Sequence, residues 1–279
     1  MRIQKKIIAI GVLSVGALLM GACGGSSGDG SSSGGGETIR IARNNWTASA
    51  VEVEIVKQLI EANLGNPVEI VDIDENAMIT AMSSGEIDAN VEVWPSGFTP
   101  DEQAFVDDGS VVNMGPLGAI GKIGWFVTPN ALEQFPQLSS WEGLKDPVVA
   151  EAFATAATGS KGRMLSMDPS FSSYEEPMVK NLGLNFQVQY SGSEAATQAE
   201  IVSATEAGKP VLMYYWMPSA AVGKYGLINL KLPAPTVDCA AETDSCDGDY
   251  PEDILFKVAS AKLEAKDAKV FNFFKKFKF

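Results

Sequence analysis

A chain of 279 residues with 46% hydrophobic content is long enough to bury one large two-lobed core or two domains, and its formal charge of -14 sets it against nucleic acid and anionic lipid headgroups. It contains no histidine, which excludes Ser-His-Asp and Cys-His catalysis and every histidine-ligated metal site.

Met1 to Ala22 carries three basic groups (Arg2, Lys5, Lys6) and no acid, followed by an apolar run from Ile7 to Met20 and the small pair Gly21-Ala22 before Cys23. This is the three-part anatomy of a secretory signal, and the run is short for a membrane span. Its removal leaves 18 basic groups against 35 acidic ones, or -17. The segment resembles a bacterial lipoprotein signal, with Met20 where leucine is usual, and that resemblance implies lipidation of Cys23 as a new N-terminus. Gly24 to Gly36 holds only Gly, Ser and one Asp, cannot pack, and reads as a flexible tether of residues 23–36. An anchor and a tether imply a folded body held near a membrane without itself touching lipid.

Folding is expected from Glu37. Thr38 to Ala42 alternates as a strand, Asn44-Asn45-Trp46-Thr47 forms a polar turn, and Ala48 to Asn63 has helical periodicity. Pro67 to Ile73 predicts a second strand, Glu75 to Ser84 a helix capped by Gly85, and Asp88 to Val93 a third strand running into Trp94-Pro95. The β-α-β-α-β order predicts a parallel sheet whose ligand end lies beyond the strand C-termini, where Trp46 and Trp94 both fall. Gly115 to Thr128 reads as a glycine-punctuated strand containing Trp125, and Ser139 or Ser140 as the N-cap of a short helix that Trp141 anchors. Arg163 to Ser173 reads as a polar loop with hydroxyls and backbone N–H groups suited to an anion, leading into a helix from Tyr174 to Asn181.

Helix 194–207, Gly208 and the strand Val211 to Trp216 repeat the first-half pattern of helix 75–84, Gly85 and the strand ending at Trp94. Gly to Trp is nine positions in the first and eight in the second. Alternation puts Tyr214 and Trp216 on one face, with Met213 and Tyr215 on the other. Leu227 to Leu232 predicts a further strand, and Ile254 to Ala259 another before a terminal helix through Phe271, Phe273 and Phe274. Three cysteines in an exported chain divide into one lipid site and one disulfide, Cys239 to Cys246. Asp238, Asp244, Asp247 and Asp249 around that loop fit no calcium-binding spacing, so no metal is expected.

With Asn45-Trp46-Thr47, the strand Asp88 to Pro95, Trp141 to Pro147 and Gly208 to Pro218 in hand, residues 37–279 resemble the substrate-binding proteins of ABC importers for glycine betaine, proline betaine and choline. The resemblance implies an α/β fold of the two-lobed periplasmic-binding-protein type (type II), each lobe a mostly parallel sheet flanked by helices. Lobe 1 is then 37–120 with a return segment 233–279, and lobe 2 is 121–232, hinged near Gly118 to Lys122 and Lys231 to Pro235. It places Trp46, Trp94 and Trp216 around a quaternary ammonium, with a fourth wall from Tyr174, Phe171 or Tyr214. Glu92 adds negative potential, and Ser172 and Ser173 are donors for a ligand carboxylate. Some relatives use a histidine soon after the first-lobe Trp-Pro; here Ser96, Gly97 and Phe98 stand there.

The function implied is that of an exported, lipid-anchored, non-catalytic receptor, monomeric and without cofactor, serving the membrane subunits of an importer from the outer face of the cytoplasmic membrane or the periplasm. Two other readings compete: the same fold binding an amino acid or a polyamine, and an exported hydrolase using two carboxylates.

Overall fold

The computed structural model describes residues 36–171 and 173–279. The signal segment, Cys23 and most of the tether therefore lie outside the described residues, as does Ser172. The chain begins β1 (Ile39–Arg43), α1 (Thr47–Leu64), β2 (Val68–Asp72), α2 (Glu75–Ser84) and β3 (Ala89–Val93). Local chemistry sets these limits: Val53, Val56 and Ile60 form the buried stripe of α1, and Gly85 ends α2 at φ 83°, a left-handed conformation that glycine adopts without strain. After α3 (Pro100–Asp107), begun by a Thr99/Glu102 capping box, comes β4 (Val111–Val127), 17 residues long.

The second half continues through α4 (Pro129–Gln134), α5 (Pro147–Ala152), β5 (Gly162–Ser166), α6 (Glu175–Asn181), β6 (Phe186–Tyr190), α7 (Glu194–Glu206), β7 (Leu212–Met217), α8 (Ala220–Tyr225) and β8 (Ile228–Asn229). The chain ends on β9 (Glu252–Ser260), α9 (Lys262–Lys266) and α10 (Ala268–Lys276). The strands lie in the order β2-β1-β3-β9-β4-β7-β5-β6, with β8 beside β4. The two flanks are parallel, and the centre, where β9 runs against β3 and β4 and β7 runs against β4, is antiparallel. Up to Lys122 β4 pairs with β9, and from Lys122 onward with β7, so one continuous strand joins the two halves of the sheet.

Three expectations change. Arg163 to Ser166 belongs to β5, not to a loop, because Met164 and Leu165 are buried between β6 and β7 and Arg163 pairs with Glu200 of α7. The 227–232 strand shrinks to Ile228–Asn229, with only two ladder pairs to β4. Ser140 precedes a 3-10 turn (Trp141–Lys145), but its hydroxyl bonds Glu142 and does not cap the turn. Trp141 is half-buried under the Lys145 ammonium, 4.4 Å from its ring. Cys239 and Cys246 are joined by a disulfide. Among the described residues no group of acids and cysteines could hold a metal ion, and no helix is long and apolar enough to cross a membrane.

Lys257 of β9 is wholly buried, and its ammonium donates to the Pro116 carbonyl at 2.7 Å. Burial, and then the charge of Lys278, pushes it down from 10.5 to about 8. Because the folded value lies below the unfolded one, the protonated form is the costly one. That cost is fully present below about 8 and is relieved as pH rises towards 10.5, so this group makes the fold more stable with rising pH across that window. Lys257→Met is expected to stabilise the protein at pH 7 by about 1–2 kcal/mol, after the loss of one hydrogen bond, and to flatten the rise; denaturant unfolding at pH 7 and pH 9.5 checks both.

Candidate functional site

The candidate side chains stand where strands end. Trp46 sits on the turn between β1 and α1, Trp94 follows β3, and Trp216 with Tyr214 closes β7. Phe171 comes from the loop between β5 and α6. These five rings, with Glu75, Gly97 and Ile123, line one narrow cavity, and none of the rings exposes more than 9% of its surface. The rings meet edge to face: Trp46 and Phe171 at 5.6 Å and 83°, Phe171 and Trp216 at 6.4 Å and 73°, and Tyr214 and Trp216 at 6.2 Å and 61°. Perpendicular walls of this kind form a cage whose faces can surround a compact group.

The cage is held from behind. Glu92, buried on β3, accepts the Trp46 indole N–H on Oε2 at 2.7 Å and the Trp94 indole N–H on Oε1 at 2.9 Å. Its own N–H donates to Asn90 Oδ1. Burial raises Glu92, while hydrogen bonds from Trp46, Trp94 and Glu52 pull it back and the Glu194 charge raises it further. Burial first, and then the Glu92 charge, pushes Glu52 up to about 9. Glu92, which accepts an indole N–H on each oxygen, lies behind the rings, where its carboxylate enriches them in electrons, and it lines a second cavity beside Trp46 and Trp94.

Trp216 is backed by Tyr215, stacked at 4.9 Å and 19°, whose hydroxyl donates to Glu194 Oε1 at 3.0 Å. The other oxygen of Glu194 accepts from the Thr47 N–H at 2.9 Å and from the Thr47 hydroxyl at 2.6 Å, and Asn45 donates to Asp168. The turn that carries Trp46 is therefore tied to two points of the second half. Gly121 of β4 passes against Trp94 so closely that an added Cβ would lie 2.2 Å from the ring.

Of the three residues proposed for a fourth wall, Phe171 and Tyr214 line the cavity and Tyr174 does not. Tyr174 turns away, donating its hydroxyl to the Ser96 carbonyl and stacking on Tyr250 at 5.2 Å. Ser173 hydrogen-bonds Glu175, the buried acid that also accepts from the Tyr250 hydroxyl at 2.7 Å. Sequence reasoning passed over Glu75, Ile123 and Gly121. The first reads as an ordinary helix-start acid and the others as strand filler, so no local signal marks them.

Residues 37–279 match the family described as the substrate-binding domain of the ABC-type glycine betaine transport system. The chain is 29% identical over 251 residues to the trimethylamine N-oxide-binding protein of Pelagibacter ubique, covering 86% of this chain and 78% of that one. It is 24% identical over 191 residues to the glycine betaine/proline betaine-binding periplasmic protein of Salmonella typhimurium, covering 66% and 56%. Among solved structures it superposes on a choline-binding protein of an ABC transporter with choline (TM-score 0.69, 14% identity, 87% and 78% covered). It also superposes on closed, liganded lactococcal OpuAC with glycine betaine (TM-score 0.66, 16% identity, 87% and 85% covered). These likenesses give the fold as the two-lobed type II periplasmic-binding-protein fold.

Proposed function

Since this chain belongs to the OpuAC family, and is the substrate-binding component of an ABC importer and not an enzyme, we propose that it takes a quaternary ammonium compatible solute (glycine betaine, proline betaine or choline) into the tryptophan cage. The observation that carries this reading is a cavity walled by five aromatic rings, with Glu75 as its one charged lining residue among those described. A trimethylammonium group has no N–H to donate, so a protein selects it with ring faces, at about 0.5–2 kcal/mol per ring. Four such contacts at the upper end of that range reach about 8 kcal/mol, the scale of micromolar binding. Trimethylamine N-oxide, which the relative from Pelagibacter ubique binds by its name, has the same methylated head and is the second reading.

On this reading Trp46, Trp94 and Trp216 are the principal walls, and Phe171 and Tyr214 complete them. Glu92 acts through the indoles, and Tyr174 and Ser173 support the loop. Lobe 1 (37–120 and 233–279) and lobe 2 (121–232) close over the ligand by a hinge in β4, and the closed monomer docks on the importer's membrane subunits. Cys23 carries the lipid anchor outside the cytoplasmic membrane, with 23–36 as its tether. Calorimetry on residues 37–279 with glycine betaine, proline betaine, choline and trimethylamine N-oxide is expected to give saturable binding of at least one. A folded protein that binds none of them, or that prefers an unmethylated amine or an amino acid, would overturn the proposal.

A further inference from the structure

Glu52 lies on α1, one and a half turns beyond Trp46, and half-buries its carboxyl at the wall of an apolar groove that also contains Trp216 and Val51. It lines no part of the cage cavity, and one of its oxygens, Oε2, is buried with no hydrogen-bond partner. Its carboxyl meets that of Glu92 in a side-chain hydrogen bond. Two carboxyl groups can hydrogen-bond only if a proton stands between them, since two carboxylates are both acceptors and repel. Glu92 already accepts from two indoles at 2.7 and 2.9 Å, so the proton belongs to Glu52 and points at Glu92.

We propose that Glu52 is a positioning residue for the cage: its neutral carboxyl donates to Glu92 and so fixes the carboxylate from which the Trp46 and Trp94 indoles are hung. This rests on the cage reading of the site and adds a residue that never touches ligand. Glu92 accepts three donors in all, and a carboxylate held by three donors has little freedom to rotate, so both rings keep one orientation. The raised Glu52 value, about 9, agrees with that arrangement. Among the described residues, the charged groups facing Glu52 are Glu92 from β3, Glu194 from α7 and Lys224 of α8 along the groove. Above about 9 the proton leaves, Glu52 and Glu92 repel, and the indoles lose their common support.

The test uses the intact protein, with Glu52→Gln, which still donates through its amide, and Glu52→Leu, which cannot. Near-UV circular dichroism without ligand is expected to change with a midpoint near pH 9 in wild type and to show no such step in Glu52→Gln. Choline, charged across this range, is expected to bind Glu52→Gln as it binds wild type at pH 7, and Glu52→Leu about tenfold more weakly. Wild-type affinity is expected to fall about tenfold between pH 8 and pH 10, with Glu52→Gln flat. An identical pH step in wild type and Glu52→Gln, or wild-type affinity in a folded Glu52→Leu, overturns the proposal. If Glu52→Leu does not fold, the contrast between wild type and Glu52→Gln decides it. If wild type binds no choline, the choice of ligand is what fails, and the dichroism titration still judges Glu52.

Discussion

Trp94→Ala is expected to weaken ligand binding by about 2–3 kcal/mol, a loss of roughly 30- to 150-fold, and to lower the melting temperature as well, since the ring is buried and its N–H holds Glu92. Two losses combine: one ring face no longer attracts the cation, and the methyl groups it covered meet water. A control separates ring from hydrogen bond. Trp94→Phe keeps a face but lacks the N–H that reaches Glu92 at 2.9 Å, and is expected to lose about 1 kcal/mol. Calorimetric affinities for the tightest ligand of the panel check both values. Equal binding by wild type and Trp94→Ala would remove Trp94 from the cage.

Glu92→Gln is expected to cost about 2–4 kcal/mol of binding although the side chain keeps its size. The amide has one oxygen for two indole donors, and its NH2 must face an N–H of Trp46 or Trp94, so one ring is left with a buried unpaired donor. The charge that enriched both rings is lost as well. Glu92→Gln should therefore weaken choline more than an uncharged isostere of choline, whereas a purely steric disturbance would weaken both alike. Titration of the two compounds against wild type and variant separates these outcomes.

Much of the first half of the fold was legible because its signals are local. Gly85 closes α2, and alternating runs mark β1 to β3. The tryptophans of the cage were legible for the same reason, since each ends or follows a strand. The antiparallel centre was not, because β9 takes its place between β3 and β4 through pairs such as Asn90 with Val258, more than 160 residues apart, and neither strand carries a sign of its partner. β5 was missed at its start because Arg163 looks like loop chemistry until Glu200 is placed beside it. Tyr174 could not be told from Phe171 by sequence. What separates them is the Ser96 carbonyl, 78 positions away, which draws the Tyr174 hydroxyl out of the cage. Glu52 and Glu75 look like any helix acids, and only packing distinguishes them from Glu54, which is exposed.

The bonds from Thr47 to Glu194 and from Asn45 to Asp168 join the turn bearing Trp46 to the half that bears Phe171 and Trp216, and they involve no ligand atom. If the two lobes open and close as proposed, the cage exists only in that fraction of molecules in which its two sides have met, and the apparent dissociation constant is the intrinsic one divided by that fraction. Side chains such as Asn45 and Asp168 set a common scale factor for every ligand, whereas the rings set the order of preference among ligands. Affinity and selectivity are thus held by different residues and are free to vary independently.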